Sequence, residues 1–141
     1  MDIKAKRQYQ SNMKQYNPLT PAEFFEAYQN GQRYFLDLDF EYADGFADID
    51  LPDIIFEDCF LYIDLRKTNL TNARFIGCNL KEIDLRHANL TNALMTNCLV
   101  ESALFKGAIT EGFRFFENYY YGMTIGQEEF DRDIVNSDAE E

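Results

Sequence analysis

Apolar residues recur at every fifth position through the middle of the chain. From Ile63 onward the sequence divides into blocks of five, in which the first residue is mostly small or aliphatic and the last two are mainly polar or glycine. Neither the 3.6-residue period of a helix nor the two-residue period of a continuous strand produces this pattern. It indicates short extended segments whose first and third side chains share one side, each followed by a turn. The third residues of successive blocks are Leu65, Leu70, Phe75, Leu80, Leu85, Leu90, Met95, Val100, Phe105, Thr110, Phe115, Tyr120 and Ile125.

A repeat of 20 residues is superimposed on the five-residue period. The stretch IDLRKTNLTNA at residues 63–73 returns as IDLRHANLTNA at residues 83–93. Four blocks make 20 residues, and four faces close a square coil. Repetition at a fixed short period is typical of a solenoid, so the copied stretch is predicted to be one coil stacked directly on another.

The blocks ANLTN, IDLRK, TNLTN and CNLKE resemble the A(N/D)LXX repeats of the pentapeptide-repeat protein family over roughly residues 46–127. The resemblance implies an all-β solenoid, a right-handed quadrilateral β-helix of about four to five coils. The predicted β-helix domain covers residues 34–127. Within it, residues 34–45 are expected to be an irregular lead-in, because Asp44 would otherwise point inward.

The three cysteines are predicted to lie in one inward column. Counting faces across a turn that is one residue short, between Leu61 and Leu65, brings Cys59, Cys78 and Cys98 into line, with Asn118 next. Coils stack ~4.8 Å apart, and parallel Cβ vectors at that distance do not suit a relaxed disulfide. We expect buried, reduced thiols. A redox or metal-binding cluster is the alternative.

The N-terminal segment, residues 1–33, contains a predicted helix that covers the first coil. Thr20 and Glu23 form a capping box around a proline at the first helical position, and Gly31 supplies the stop. These signals predict a helix over residues 21–29. The side chains expected to lie over the first coil are Phe24, Phe25 and Tyr28.

The C-terminal end lacks an equivalent cover in the sequence. The acidic tail, residues 128–141, carries few apolar side chains and is expected to be disordered from about residue 132, as are residues 1–15. In residues 93–112 the outward second positions, usually Asn or Asp, become apolar, and aromatic residues follow. We therefore predict a homodimer through the C-terminal coils, with the tail folding back over them as the alternative. The candidate dimer interface is Leu94, Leu99, Leu104, Ile109, Phe116, Tyr119 and Tyr121.

The charge distribution suggests a second surface. The formal net charge is −12, and residues 37–64 contain ten acidic residues and no Lys or Arg. This charge argues against direct binding to nucleic acid or anionic lipid. A solvated acidic surface that aids solubility is the simpler alternative to a binding role. The candidate acidic partner surface is Asp48, Asp50, Asp53, Glu57, Asp58 and Asp64.

No catalytic motif accompanies these surfaces. The single histidine, His87, is an outward fifth residue, and no nucleophile, phosphate-loop or metal-ligand spacing occurs. No apolar stretch long enough for a signal peptide or membrane span is present, so a cytoplasmic protein is the expectation. We expect no enzyme and no cofactor.

Two functional hypotheses therefore remain open. The first is a rigid, non-catalytic protein-interaction module. The second comes from the resemblance, since some pentapeptide-repeat proteins, including quinolone-resistance members, are acidic rods that resemble B-DNA and occupy the DNA-binding saddle of DNA gyrase. The resemblance thus implies a DNA mimic as the alternative, with DNA gyrase as a candidate partner. A gyrase supercoiling assay separates the two hypotheses.

Overall fold

The protein folds as a β-solenoid of about four turns, described over residues 19–137 in a computed structural model. The predicted quadrilateral β-helix with an N-terminal helix is confirmed. In chain order the elements are α1 (Pro21–Gln29), β1 (Tyr34–Leu36), β2 (Asp39–Glu41), β3 (Ile55–Glu57), β4 (Phe60–Tyr62), β5 (Arg74–Ile76), β6 (Leu94–Thr96), β7 (Arg114–Phe116), β8 (Asn118–Tyr120), β9 (Met123–Ile125), α2 (Gln127–Glu129) and a π-helical turn (Phe130–Ile134). The predicted disorder of residues 1–15 lies outside the described residues.

Successive coils stack in parallel on four faces. Face 1 is the ladder β1-β3-β5-β6-β7, and face 2 begins with β2 and β4 and continues through single bridges. Face 3 is held by bridges such as Asp64 to Asp84, and face 4 by bridges such as Asn69 to Asn89. Third-position side chains thereby stack on one another and form the core. On face 1 this interior column is Phe35, Phe56, Phe75, Met95 and Phe115.

The coil length changes along the solenoid, and the changes locate its start. β1 pairs with β3 at an offset of 21 residues, β3 with β5 at 19, and β5 with β6 at 20. The first coil holds an extra residue between Phe40 and Phe46, and the second contains the predicted short turn. The expectation of an irregular lead-in over residues 34–45 is wrong, because a strand already begins at Tyr34. The extra residue places Asp44 at the surface rather than inside.

Two local features recur at the corners of the coil. Second-position Asn and Asp side chains accept a hydrogen bond from the backbone N–H two residues later, as Asn69 Oδ1 does from Thr71 at 3.1 Å. Fifth-position residues adopt positive φ, which costs a non-glycine residue roughly 1–2 kcal/mol. At the corner glycine Gly107, a Cβ would collide with the imidazole of His87 in the coil below. Glycine suits this corner because it adopts the positive φ without strain and because a Cβ there would displace the His87 imidazole.

The cysteine column is present as predicted, and its thiols are free and buried. Each thiol donates a hydrogen bond to a carbonyl oxygen of the preceding coil. At the end of the column Asn118 replaces the thiol, since its Oδ1 accepts from the Cys98 N–H at 2.9 Å and its Nδ2 donates to the Met95 carbonyl at 2.9 Å. The thiol pairs are Cys59 with Phe35 (3.6 Å), Cys78 with Phe56 (3.3 Å) and Cys98 with Phe75 (3.4 Å).

The N-terminal end is closed by α1, whose Phe24 and Phe25 rings both pack on Phe46 of the first coil, at 5.6 and 4.8 Å between centroids. The predicted capping box is present, with Thr20 Oγ1 accepting from the Glu23 N–H at 3.2 Å and Glu23 Oε1 accepting from the Thr20 N–H at 2.9 Å. Phe24 is fully buried and inserts into the first coil. The rings around it are Phe35 at 4.7 Å and Phe40 and Phe46 at 5.6 Å, between centroids.

Regular coiling ends at a hairpin in the fifth coil. β8 continues face 2, but the chain turns at Tyr121 and Gly122, and β9 pairs antiparallel with β8. The block MTIGQ, which the five-residue period assigns to a further face, therefore runs back along its neighbour. Ile125 nevertheless remains buried, as its third position predicts.

The C-terminal end is covered by the tail, and the expectation of an uncovered end is wrong. Phe130 is fully buried and Ile134 nearly so, while the carboxylates of the same segment stay outside. Gln127 Oε1 also accepts a hydrogen bond from the Phe115 N–H at 2.9 Å, which satisfies the open edge of the last coil. The turn includes residues 132–134, where disorder was expected. The rings whose centroids lie 4.9–5.2 Å from that of Phe130 are Phe105, Phe113 and Phe115.

Candidate interaction surfaces

The acidic surface predicted from the sequence is only partly assembled. Glu57 does not belong to it, because this residue is a fourth position on face 1 and is 2 % exposed. The exposed members are Asp48, Asp50 and Asp53, and the half-buried members are Asp58 and Asp64. Exposed carboxylates outside the predicted set are Asp39, Glu41 and Asp44. The exposed acidic groups therefore concentrate on the first coil.

Face 3 carries a ladder of paired charges. Arg66 forms a two-pronged contact with Asp64, at 3.0 and 2.7 Å, and Arg86 does the same with Asp84, at 2.9 and 2.6 Å. Hydrogen bonding to Arg66 lowers the pKa of the Asp64 carboxyl below its ordinary value. Arg66 also lies 3.6 Å from Asp84 in the next coil. Because Asp64 is already neutralised by its neighbour, it contributes little to an electronegative surface.

The apolar side chains assigned to one dimer interface point in different directions. The second positions of the fourth coil lie one on each face: Leu94 on face 1, Leu99 on face 2, Leu104 on face 3 and Ile109 on face 4. Successive faces of a square coil turn by a right angle, so a flat partner cannot contact all four. End-to-end association would bring them together, but the C-terminal cap occupies that end. The seven residues of the predicted interface therefore do not form one surface.

Face 2 brings three of these seven residues together. Tyr119 and Tyr121 are the second and fourth residues of one block, so both point outward, with 39 % and 65 % of their surfaces exposed. Tyr119 is bridged to Leu99 in the coil below. Hydrogen bonds hold the backbone of both tyrosines to the coil below. The Tyr119 N–H donates to the Cys98 carbonyl at 2.8 Å, and the Tyr121 N–H donates to Glu101 Oε1 at 2.9 Å. We call Leu99, Tyr119 and Tyr121 the tyrosine face.

One exposed apolar residue near this face escaped the sequence analysis. Met123 is 60 % exposed. The five-residue period assigns it to an inward first position, but the hairpin reverses the chain there and pairs it with Tyr120. Of the other four members of the predicted interface, Phe116 on face 1 and Ile109 on face 4 are exposed away from the tyrosine face, and Leu94 and Leu104 are half-buried.

Comparison with known proteins assigns the repeats. Residues 63–101 match the family model for pentapeptide repeats, with eight copies. The chain carries pentapeptide repeats over this segment. No protein of curated function matches it significantly.

Two solved structures that are similar to this chain are those of alr5209 and QnrB1. The pentapeptide repeat protein alr5209 from Nostoc PCC 7120 is 26% identical with a TM-score of 0.43, and the match covers 72% of this chain and 79% of that one. QnrB1, a plasmid-mediated fluoroquinolone resistance protein, is 24% identical with a TM-score of 0.43, and the match covers 53% of this chain. The same match covers only 36% of QnrB1.

The pentapeptide-repeat scaffold presents few groups suited to chemistry. Between residues 19 and 137, no three His, Cys, Asp or Glu side chains are grouped so that they could hold a metal ion. Burial raises the pKa of the Cys59 and Cys98 thiols, which disfavours the nucleophilic thiolate. His87 lies exposed at a corner of the coil. None of the helical segments in the same range combines the length and apolarity that a membrane span requires.

Proposed function

We propose that this protein is a non-catalytic interaction module that binds another protein through the tyrosine face. The observation that carries the proposal is the pair of outward tyrosines beside a leucine on one flat face, while Phe24 and Phe130 close both ends of the rod. Aromatic residues are enriched in binding hot spots, where truncation costs about 2 kcal/mol or more each. Because their backbone is hydrogen-bonded on the solenoid, little conformational freedom is lost on binding.

A second copy of the chain is the first partner to test. A two-fold axis through the tyrosine face would let each patch contact the other. Of the two possible side-by-side arrangements, the antiparallel one, whose axis runs across the rods, puts the two acidic first coils at opposite ends, so the net charge of −12 on each chain opposes it less than it opposes the parallel one. This arrangement differs from end-to-end association, which the C-terminal cap blocks.

Light scattering on the wild-type protein and matched variants tests this proposal. Wild type should approach twice the 16.5 kDa chain mass. Tyr119→Ala with Tyr121→Ala should weaken the dimer by about 30-fold or more. The control is Tyr42→Ala, which removes a tyrosine of the first coil that is even more exposed, at 72 %. A double variant that dimerises as well as wild type would refute the tyrosine face.

A wild-type chain that stays monomeric at about 100 micromolar, where even weak dimers form, would exclude a second copy. The wild-type chain and the double variant would then be compared as baits in extract of the native cells. A protein retained by wild type and by the Tyr42 variant but not by the double variant would identify the partner. Equal retention by all three would refute binding through this face.

A DNA mimic that binds a DNA-binding protein such as DNA gyrase is the second candidate. It is supported by the exposed carboxylates of the first coil and by the absence of Lys and Arg from residues 37–64. However, one coil advances the rod by only ~4.8 Å, whereas B-DNA carries a charge every ~1.7 Å along its whole axis. Inhibition of gyrase supercoiling that weakens steeply with salt would favour mimicry, and no inhibition at tens of micromolar would exclude it.

A further inference from the structure

The arginines of the chain fall into two groups. Between residues 19 and 137 there are six, and neither the Arg74 nor the Arg114 guanidinium makes a hydrogen bond or ion pair there, although both are exposed. The chain has 25 acidic residues against 13 Lys and Arg, so a shortage of carboxylates does not explain this. The four arginines with partners are Arg33, on the ring and carbonyl of Tyr28, and Arg66, Arg86 and Arg132, on carboxylates.

The two unpaired arginines line the same groove. Arg74 and Arg114 are second positions of face 1 in the third and fifth coils, and Leu94 of the fourth coil pairs with both. Their backbone is held in place, because the Arg74 N–H donates to the Ile54 carbonyl and the Arg114 N–H to the Ala93 carbonyl, each at 2.9 Å. The groove has a volume of about 410 Å³ and follows the corner between face 4 and face 1. Its lining residues are Asp53, Ile55, Asn72, Arg74, Asn92 and Arg114.

The other polar groups of the groove leave the two guanidiniums available. Asp53 is the carboxylate of the lining, and its Oδ1 already accepts a hydrogen bond from Asn72 Nδ2 at 3.1 Å. The Asn92 side-chain amide makes no hydrogen bond to any residue of the described range. The groove therefore offers two guanidiniums and one amide to a ligand, against one carboxylate that is engaged elsewhere.

We propose that this groove binds the carboxylates of an acidic segment of another protein. A guanidinium pairs with a carboxylate through two parallel hydrogen bonds. Two coil steps separate the Cα atoms of Arg74 and Arg114 by ~10 Å. An extended chain advances ~3.3 Å per residue, so carboxylates two or three residues apart, on a segment lying along the rod, reach both arginines. A nucleic acid fits less well, because the lining contains no aromatic ring on which a base could stack.

The net charge of −12 does not prevent binding at this position. The exposed acidic groups concentrate on the first coil, and Arg114 lies four coils further along the rod, a distance of ~19 Å. Exposed charges more than ~8–10 Å apart are largely screened at physiological ionic strength. Glu111 and Glu117 are nearer, but neither forms an ion pair with Arg114, so its donors stay free. The groove does not include the tyrosine face, and neither proposal depends on the other.

Titration of the full-length, nitrogen-15-labelled protein with acetylated hexaglutamate tests the groove at constant ionic strength. The arginine Nε–H signals report each guanidinium separately. Those of Arg74 and Arg114 should shift as the peptide is raised to about 10 mM, where a complex with a Kd of about 1 mM is nearly saturated. Those of Arg66 and Arg86, which already pair with carboxylates, should barely move. A signal of Arg74 or Arg114 that does not shift, or equal shifts at all four arginines, would overturn the proposal.

A matched pair of double variants separates the groove from the total charge. Arg74→Gln with Arg114→Gln removes both guanidiniums and should weaken hexaglutamate binding by about tenfold or more. Arg66→Gln with Arg86→Gln removes the same charge from face 3 and should weaken it less than about twofold, since only screened, distant charge is lost. All four side chains point outward, so circular dichroism should show the fold retained in both variants. Equal affinities of the two variants would show that the groove is not the site.

A thymidine hexanucleotide provides the comparison with nucleic acid. It carries phosphates in place of carboxylates and should bind the wild-type protein more weakly than hexaglutamate does, because the groove gives its bases nothing to stack on. Binding as tight as that of hexaglutamate, with the same shifts at Arg74 and Arg114, would assign the groove to a nucleic-acid backbone and overturn the acidic segment.

Discussion

Removal of the Phe130 ring is the sharpest test of the C-terminal cap. Phe130 is fully buried, and the rings of Phe105, Phe113 and Phe115 lie around it at centroid distances of 4.9–5.2 Å. It belongs to a tail whose other side chains are mostly charged. Phe130→Ala therefore removes most of the apolar contact between the tail and the solenoid.

The expected loss follows from burial and from the position of the residue at an end. Phe→Ala substitutions in a core lower the free energy of unfolding by about 3–5 kcal/mol. With roughly 3–5 °C per kcal/mol for a chain of this size, the melting midpoint should fall by roughly 10–25 °C. Repeats of a solenoid contact only their neighbours, so the fifth coil should unravel first. Its Tyr119 amide, bonded to the Cys98 carbonyl, should lose hydrogen-exchange protection before amides of the first coil.

The matched control is Phe116→Ala, which removes the same side chain from the same coil. Phe116 points outward and is 43 % exposed, so its loss should cost below about 1 kcal/mol. Urea denaturation followed by circular dichroism gives both free energies, and hydrogen exchange locates the change. Equal losses for the two variants would refute the assignment of Phe130 as the plug of the C-terminal end.

Three further predictions concern the core, the N-terminal cap and pH. Ala93→Arg places a charge in the fully buried column above Ala73 and should destabilise by several kcal/mol; thermal melts within two degrees of wild type would contradict the register. Deletion of residues 1–31 exposes the first coil and should cause aggregation or a clear fall in melting temperature. A truncated chain that is soluble and as stable as wild type would show that α1 is not needed to cover that end. Arg66 lowers the folded-state pKa of Asp64, so the pair contributes stability above the unfolded pKa of about 3.9, and this stability is lost as pH falls through the folded pKa. The melting temperatures of wild type and Asp64→Asn should therefore converge at low pH. A gap between the two melting temperatures that widens at low pH would contradict the lowered pKa.

The regular part of the fold was predictable because its signals are local and repeated. The residues of each inward column recur in the sequence at a fixed interval. The one-residue deletion after Leu61 could therefore be located by counting, and the three cysteines could be aligned across it. The copied blocks at residues 63–73 and 83–93 add a second, independent period. The capping box at Thr20 is likewise a local signal, confirmed by both of its hydrogen bonds. None of these inferences required knowledge of distant contacts.

The irregular parts were not predictable because they depend on compensation between segments. An extra residue before Phe46 obscures the period of the first coil, and the next coil is one residue short. At the other end, composition suggested disorder in the tail, although Phe130 and Ile134 lie four residues apart and so share one side of a helical turn. That spacing was the available signal. The return of β9 along β8 depends on hydrogen bonds between strands rather than on local pattern.

The switch from Asn and Asp to leucine and isoleucine in the fourth coil bears on function rather than on folding. In earlier coils the second-position side chain accepts a hydrogen bond within its own turn, as Asn89 does from Thr91 at 3.1 Å, and one such bond contributes about 0.5–1.5 kcal/mol. An aliphatic residue forfeits this bond at each corner without gaining a place in the interior. Leu99 is bridged to Tyr119 in the next coil, and Ile109 remains more than half exposed. Since the same fold is built in the preceding coil with polar residues, folding does not require the apolar ones. The proposed interaction module accounts for their presence, because Leu99 lies beside the two exposed tyrosines of the tyrosine face.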